Sequence, residues 1–270
     1  MKKFLKRICK KIGHFKNSTK WKAQRPPGSM KINGAQPIED AVDEGKKILI
    51  IVPHPDDELI GCDSIISKYR ERVTVFYSGM LGSDYSEQNR LTRTREFEDY
   101  CKQLNVDYYV NCGDIQSGIN RLLKDSSFGY IFIPTIVDWH NEHRELFKIS
   151  TDTIRNEHPD VRVFCYQVTV PFPPKYITHY SEMTQSEQRE KWNRFRRVYV
   201  SQRFMPIQRF KTVEKSYSPK GQMIIAEVFM ELKGSFDTDN YVCGIEKKEI
   251  NNLAAILKSA NGEYERIFGK

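Results

Sequence analysis

Ile48-Leu49-Ile50-Ile51-Val52-Pro53-His54-Pro55-Asp56-Asp57-Glu58 is the stretch that decides how this chain is read. The first five residues are an apolar run stopped by proline, the pattern of a buried strand. The residues after it deliver one imidazole and three carboxylates together at the strand's end. In open α/β sheets that edge is where ligands bind. Packing does not call for such a cluster, because neighbouring carboxylates repel unless a cation or a proton compensates them. A divalent metal is the simplest compensation, and His with Asp is a zinc-type ligand pair.

Outward from this stretch the pattern alternates. Apolar runs occur at 47–53, 73–78, 107–112, 129–134 and 161–168, with helical periodicity near 58–70, 87–104, 117–125 and 144–157. Alternation of this kind predicts an α/β fold: a Rossmann-like open, mainly parallel sheet with helices on both faces. No GxGxxG follows the first strand, which removes the main support for a dinucleotide site. After 170 the pattern changes. Pro171-Phe172-Pro173-Pro174 starts a loop, 185–199 reads as a helix and 222–232 as a strand. Residues 18–45 are polar, carry Pro26-Pro27-Gly28, Gly34 and Pro37, and read as a linker. The expected organisation is therefore an N-terminal segment and linker over 1–45, a catalytic domain over 46–232, and a helical C-terminal extension over 233–270.

The 270 residues suffice for a large core, and no apolar run approaches the length needed to span a bilayer. Cys9, Cys62, Cys101, Cys112, Cys165 and Cys243 are scattered without a CxxC pair, which favours free thiols in a reducing cytoplasm over a disulfide framework. The net charge of +8 is unevenly placed. Residues 1–38 hold 11 Lys+Arg and no Asp or Glu, leaving 32 basic against 35 acidic residues in the rest. Phe4, Leu5, Ile8, Cys9, Ile12 and Phe15 fall on one helical face with lysines opposite. A basic amphipathic helix of this kind predicts peripheral contact of residues 1–25 with an anionic membrane. Because the basic charge is confined to this segment, a nucleic-acid partner is not expected.

One His and one Asp are too few for zinc, which takes three protein ligands when a position is kept open for chemistry. The chain has six histidines, and His140 and His143 follow the strand at 129–134, again at a strand end. Two strand ends of one sheet open on the same edge. His54, Asp57 and one of the His140/His143 pair then make a 2-His-1-carboxylate set. Asp56 remains to take a proton from water, whose pKa falls to about 7 on such an ion. The remaining histidine is placed to stabilise an oxyanion or to donate to a leaving amine.

Pro-His-Pro-Asp-Asp-Glu over residues 53–58, with His140-Asn141-Glu142-His143 later, resembles the PIG-L/LmbE-like zinc de-N-acetylases, whose pattern the first segment matches at every position. In the second segment Asn141 stands for the family's proline and Glu142 for its aspartate. The resemblance implies one zinc per chain held by His54, Asp57 and His143, with Asp56 as general base and His140 as transition-state stabiliser. It gives Glu58 and Glu142 supporting places beside the ligands. Arg93-Thr94-Arg95-Glu96 resembles the family's Arg-x-x-Glu and makes Arg93 a substrate-binding residue. Asp114, after the run 107–112, falls where the family places a sugar-binding aspartate. Tyr199-Val200-Ser201-Gln202 and Ala226-Glu227-Val228-Phe229 resemble two further family segments and read as scaffold.

The implied function is zinc-dependent hydrolysis of an N-acetyl group from an amino sugar of the N-acetylglucosamine type, or from its conjugate, at the cytoplasmic side. Two rivals stand beside it. One is an amidase cleaving a larger N-acyl group from a sugar conjugate. The other is a non-catalytic glycan- or lipid-binding module on the same fold, which loss of Asp56 or of a ligand would have signalled. None of these residues is lost.

Overall fold

Lys47–Val52, the apolar run, lies in the interior of an eight-stranded sheet with every residue after Lys47 buried. The computed structural model describes residues 29–233, apart from 82–85, 126, 139, 159, 204 and 206. The basic amphipathic helix expected over 1–25 and the extension beyond Lys233 lie outside the described residues. In chain order the strands are β1 (Met30–Lys31), β2 (Gln36–Pro37), β3 (Lys47–Val52), β4 (Val73–Tyr77), β5 (Asp107–Val110), β6 (Phe128–Pro134), β7 (Arg162–Tyr166), β8 (His179–Met183), β9 (Tyr217–Ser218) and β10 (Ile225–Leu232). The α-helices are α1 (Asp57–Tyr69), α2 (Glu87–Leu104), α3 (Ile115–Asp125), α4 (Asn141–Glu157), α5 (Gln185–Val198) and α6 (Ile207–Glu214).

The main sheet runs β2-β8-β10-β7-β6-β3-β4-β5. From β5 to β7 all neighbours are parallel. This part is the expected α/β unit; its inner strands β3, β4 and β6 are continuous apolar runs because both faces are covered, while β5 is an exposed edge strand. Ile48, Ile50 and Val52 pack on one face with Leu59, Ile65 and Phe97. Leu49 and Ile51 pack on the other with Ile119, Leu146 and Phe147. The alternation of side chains along a strand thus divides the core, with α1, α2 and α5 on one face and α3 and α4 on the other. The chain goes from β3 outward to β4 and β5, then returns to place β6 on the opposite side of β3. The order therefore reverses between β3 and β6, and the loops after these two strands diverge into a crevice.

Beyond β7 the sheet becomes mixed. β10 pairs antiparallel with both β7 and β8. Within the expected linker the structure departs from the sequence reading. Met30, Ile32 and Ile38 are buried, β1 pairs with β9, and β2 extends the sheet edge on β8. The folded unit therefore includes residues 30–42 rather than starting at 46. These apolar residues are isolated among polar ones and give no strand period, so their burial is decided by tertiary contacts alone. Among the described residues the cysteines are free; Cys62, Cys101 and Cys165 are buried and Cys112 is exposed.

Candidate metal centre

The crevice at the reversal point holds the two histidine-bearing segments. Residues 53–58 follow β3 and start α1; residues 138–143 follow β6 and start α4. Because β3 and β6 are neighbours, side chains 89 residues apart in sequence meet. His54 Nδ1 is 3.1 Å from His143 Nε2 and 3.3 Å from Asp57 Oδ2, and His143 Nε2 is 3.2 Å from Asp57 Oδ2. The three atoms form a nearly equilateral triangle. Hydrogen bonding does not account for all three edges. Asp57 Oδ2 only accepts, so protons on both imidazole nitrogens would leave those nitrogens facing one another as donors. Tetrahedral bonds of about 2.0 Å put neighbouring ligand atoms about 3.3 Å apart, so the triangle has the dimensions of one face of a zinc coordination sphere. These residues fit the ion. His140 stands beside them, its ring 5.5 Å from that of His54 and 5.4 Å from that of His143, centre to centre, and it is exposed. Of the two histidines left open by spacing, His143 points into the triangle.

The electrostatics separate the two adjacent carboxylates. Burial alone would raise Asp57, but His143 and His54 hold it far below the usual carboxylate range. Burial pushes Asp56 up to about 7, with Arg93 opposing and Asp57 adding to the rise. His54 is lowered, mainly by burial, with Asp57 opposing. His143 is raised to about 9, because Asp138 and Asp57 outweigh the effect of burial. Asp57 is thus the standing anion of the triangle, while Asp56 lies outside it with a value near neutrality.

Asp56 has a left-handed backbone, φ 108° and ψ −22°. For a residue other than glycine this conformation costs on the order of 1–3 kcal/mol and persists only where the surroundings impose it. Several contacts impose it. Its backbone N–H donates to Glu58 Oε2 at 3.2 Å, its carbonyl accepts from Ile60 at 2.9 Å, and the His54 N–H donates to Asp57 Oδ2 at 3.1 Å. Glu58 is fully buried, accepts from the Tyr199 hydroxyl, and is pushed up to about 8 by burial, with that hydroxyl opposing. Arg93, on α2, is buried. Its Nη2 lies 3.2 Å from Asp56 Oδ2 and donates to the Pro55 carbonyl. Its position is therefore against Asp56.

The segment after β6 is organised by Asp138, a residue to which the sequence reading gave no role. Asp138 is fully buried. Its Oδ1 accepts from the His140 N–H at 3.0 Å, and its Oδ2 accepts from the Thr169 N–H at 3.1 Å. Oδ2 also lies 3.5 Å from His143 Nδ1, the nitrogen on the far side of the ring from the triangle. A carboxylate behind a ligating imidazole fixes its tautomer and orientation. The available signal was an aspartate two residues before a histidine pair, which alone is also an ordinary turn residue.

The other expected residues are placed as follows. Asp114 is exposed at the end of β5, on the same sheet edge, and its Oδ2 accepts from the Ser117 N–H at 2.8 Å, capping α3. Glu142 is in the first turn of α4, beside His143. The two segments read as scaffold brace the site from behind. Ser201 donates through its N–H to Glu96 at 2.7 Å, and Glu227 accepts from the Ser64 N–H at 3.0 Å and from Lys191 at 2.5 Å. Lys191 also reaches the Ile60 carbonyl, which ties α1 to α5 and β10.

Comparison with known proteins was made on sequence and on structure. No curated protein sequence matches the chain. Several solved structures do. A deacetylase in complex with teicoplanin from the teicoplanin biosynthesis pathway is similar at a TM-score of 0.55 and 12% identity, covering 71% of this chain and 100% of that one. The conserved protein TT1542 from Thermus thermophilus is similar at 0.54 and 17%, covering 71% and 99%. The A40926 pseudoaglycone deacetylase Dbv21 is similar at 0.53 and 13%, covering 71% and 99%. At these identities the likeness speaks for the fold. The family model PIG-L, described as GlcNAc-PI de-N-acetylase, matches residues 49–179, which span both histidine-bearing segments, so this stretch of the chain is a domain of the PIG-L de-N-acetylase type.

Proposed function

We propose that this protein removes the N-acetyl group from an N-acetylated amino sugar of the N-acetylglucosamine type, free or conjugated, with zinc held by His54, Asp57 and His143. The observation that carries this reading is the triangle of ligand atoms at 3.1–3.3 Å with a separate buried carboxylate, Asp56, beside it. Deacetylases of the same fold support deacetylation as the reaction.

The chemistry that zinc supplies when bound at such a site is polarisation of an amide carbonyl and a lowered pKa for water. Asp56 takes the proton of the attacking water and passes it to the amine as the C–N bond breaks. A base with a value near 7 is matched to this task at neutral pH, and a cation beside it keeps it ionised. Arg93 holds Asp56 Oδ2. In this reading the other carboxylate oxygen is turned to the water. His140, exposed beside the ligands, donates to the oxyanion that forms on the acetyl carbon. Asp114, exposed on the same edge, receives sugar hydroxyls, and Glu142 supports the histidine pair.

Residues 1–25 carry ten Lys+Arg, and each basic residue near an anionic leaflet is worth about 1 kcal/mol. Among the described residues no helix is long and apolar enough to cross a membrane. We assign this segment to reversible contact with the cytoplasmic membrane face, which holds the site near a lipid-linked or membrane-assembled glycan.

One experiment tests these assignments together. Acetate release is measured with the zinc-loaded full chain on N-acetylglucosamine, its UDP conjugate, its oligomers, and a lipid-linked form in anionic vesicles. Release from at least one substrate, stopped by a chelator and restored by zinc, is expected. The vesicle rate is expected to fall as salt rises. Release that ignores the chelator would remove the metal from the reaction. Liberation of a longer acid in place of acetate would select an amidase for larger acyl groups, and a vesicle rate indifferent to salt would remove the membrane role.

A further inference from the structure

Asp138 depends on a residue far from the crevice. Thr169 donates through its N–H to Asp138 Oδ2 and, across its Cα in the next peptide unit, accepts on its carbonyl from Arg209 Nη2 at 2.5 Å. Thr169 is buried in the segment after β7, and Arg209 is buried on α6. Around Arg209 the inward face of α6 carries Ile207, Phe210 and Val213 in the core, while Glu214 at the helix end is held by Lys191 at 2.7 Å. A guanidinium in such a setting is costly unless another charge compensates it. A carbonyl, being uncharged, does not do so. Asp138 carries a charge that acts on Arg209: burial pushes Arg209 down to about 10, and Asp138 opposes that fall. Arg209 also borders a cavity of about 20 Å³ shared with Thr169, Gln167 and Glu214. The line Arg209–Thr169–Asp138 leads to the rear nitrogen of His143 and to the His140 N–H.

We propose that Arg209 is a positioning residue for the metal centre: through the backbone of Thr169 it fixes Asp138, and through Asp138 it fixes His143 as ligand and His140 beside it. The proposal rests on His143 being a zinc ligand. Arg144 donates to the Asp138 carbonyl from α4, so the backbone of Asp138 has its own support. Arg209 acts instead on the carboxylate side.

The test uses the full chain and reads zinc affinity, by competition with a chromogenic chelator, together with the melting temperature of the zinc-free form. Arg209→Gln keeps a donor and removes the charge; Arg209→Lys keeps the charge; Phe210→Leu disturbs the same helix without touching the line. We expect Arg209→Gln to weaken zinc by about 10–100-fold, the usual range for a residue behind a ligand, with Arg209→Lys recovering part of it. Phe210→Leu lowers the melting temperature but holds zinc within about twofold. In an Asp138→Asn background the Arg209→Gln effect should shrink to about twofold, because both act on one path. Zinc affinity unchanged in Arg209→Gln, an equal loss in Phe210→Leu, or additive losses in the double variant would each overturn the proposal. If Arg209→Gln does not fold, the same cycle run with Arg209→Lys decides. His143→Ala binding zinc like the parent would overturn the ligand assignment underneath, and is told apart because every Arg209 variant leaves His143 in place.

Discussion

The segment after β3 and the segment after β6 meet at one site but are built differently. Residues 53–58 carry two of the proposed ligands and the proposed base within four positions, almost wholly buried, and are held by α2 and by Tyr199 at the end of α5. Residues 138–143 carry the third proposed ligand and one exposed histidine, and are held largely from within by Asp138. The first concentrates chemistry and takes its support from elsewhere in the fold. The second spends a carboxylate of its own on support and leaves a side chain open to solvent. The difference suits a division of labour: the first segment sets up the nucleophile, and the second completes the ion site and faces the substrate.

The largest effect that can break this division comes from the two residues on either side of it. Asp56→Asn should keep its zinc and lose about 10²–10⁴-fold in kcat, the range for a positioned acid–base group. His143→Ala should lose most of its zinc. Metal analysis beside kinetics reads both. An Asp56→Asn protein that is empty of zinc would show that the first segment's carboxylates have been assigned in reverse.

A middle-sized effect sharpens the contrast in support. Glu58 is raised from 4.5 to about 8 in the folded chain. A carboxyl whose folded value lies above its unfolded one favours the folded state while protonated, fully below pH 4.5. That contribution is lost as pH rises to about 8. At about 1.4 kcal/mol per pH unit this amounts to several kcal/mol at most. In the zinc-free protein, Glu58→Gln should therefore flatten the decline of stability across that window, as measured by urea unfolding at several pH values. A decline of unchanged slope would mean that the Glu58–Tyr199 pair does not carry the strain of the first segment.

The smallest effect concerns the third loop on the same edge. Asp114→Ala removes a helix cap, a small loss of stability. A fall in stability of that size, together with a KM that rises while kcat holds, is expected if the exposed carboxylate also receives the sugar. Unchanged KM would leave Asp114 as a cap alone.

How much of this was readable follows from where the determinants lie in the chain. The parallel unit from β3 to β7 was readable because its inner strands are continuous apolar runs that alternate with stretches of helix length. The triangle was readable because His54 and Asp57 are three residues apart and the second histidine pair also follows a strand. The mixed part of the sheet was not fully readable: β8 is short and reads His179-Tyr180-Ser181-Glu182-Met183, with polar residues on both faces. β1 and β2 are two residues each, inside a stretch whose prolines and glycines suggest a linker. Supporting contacts were the least readable. Arg93 meets Asp56 across 37 positions, Tyr199 meets Glu58 across 141, and Arg209 meets Thr169 across 40. No local pattern encodes such pairs, and helix propensity says nothing about which buried side a charged residue will choose.

The placement of β10 has a consequence for how the chain is made. β10 lies between β7 and β8 and hydrogen-bonds to both. Every strand around the metal ligands is synthesised before it, yet β7 keeps an open edge until residues 225–232 arrive. At about 5–20 residues per second, the interval between the end of β7 and the end of β10 is roughly 3–13 s. During that time the nascent domain presents an unpaired, strongly apolar strand edge, the kind of surface that recruits chaperones or neighbouring chains. The catalytic half of this molecule is thus written early in the message but becomes safe from misassembly only when its last described strand has left the ribosome.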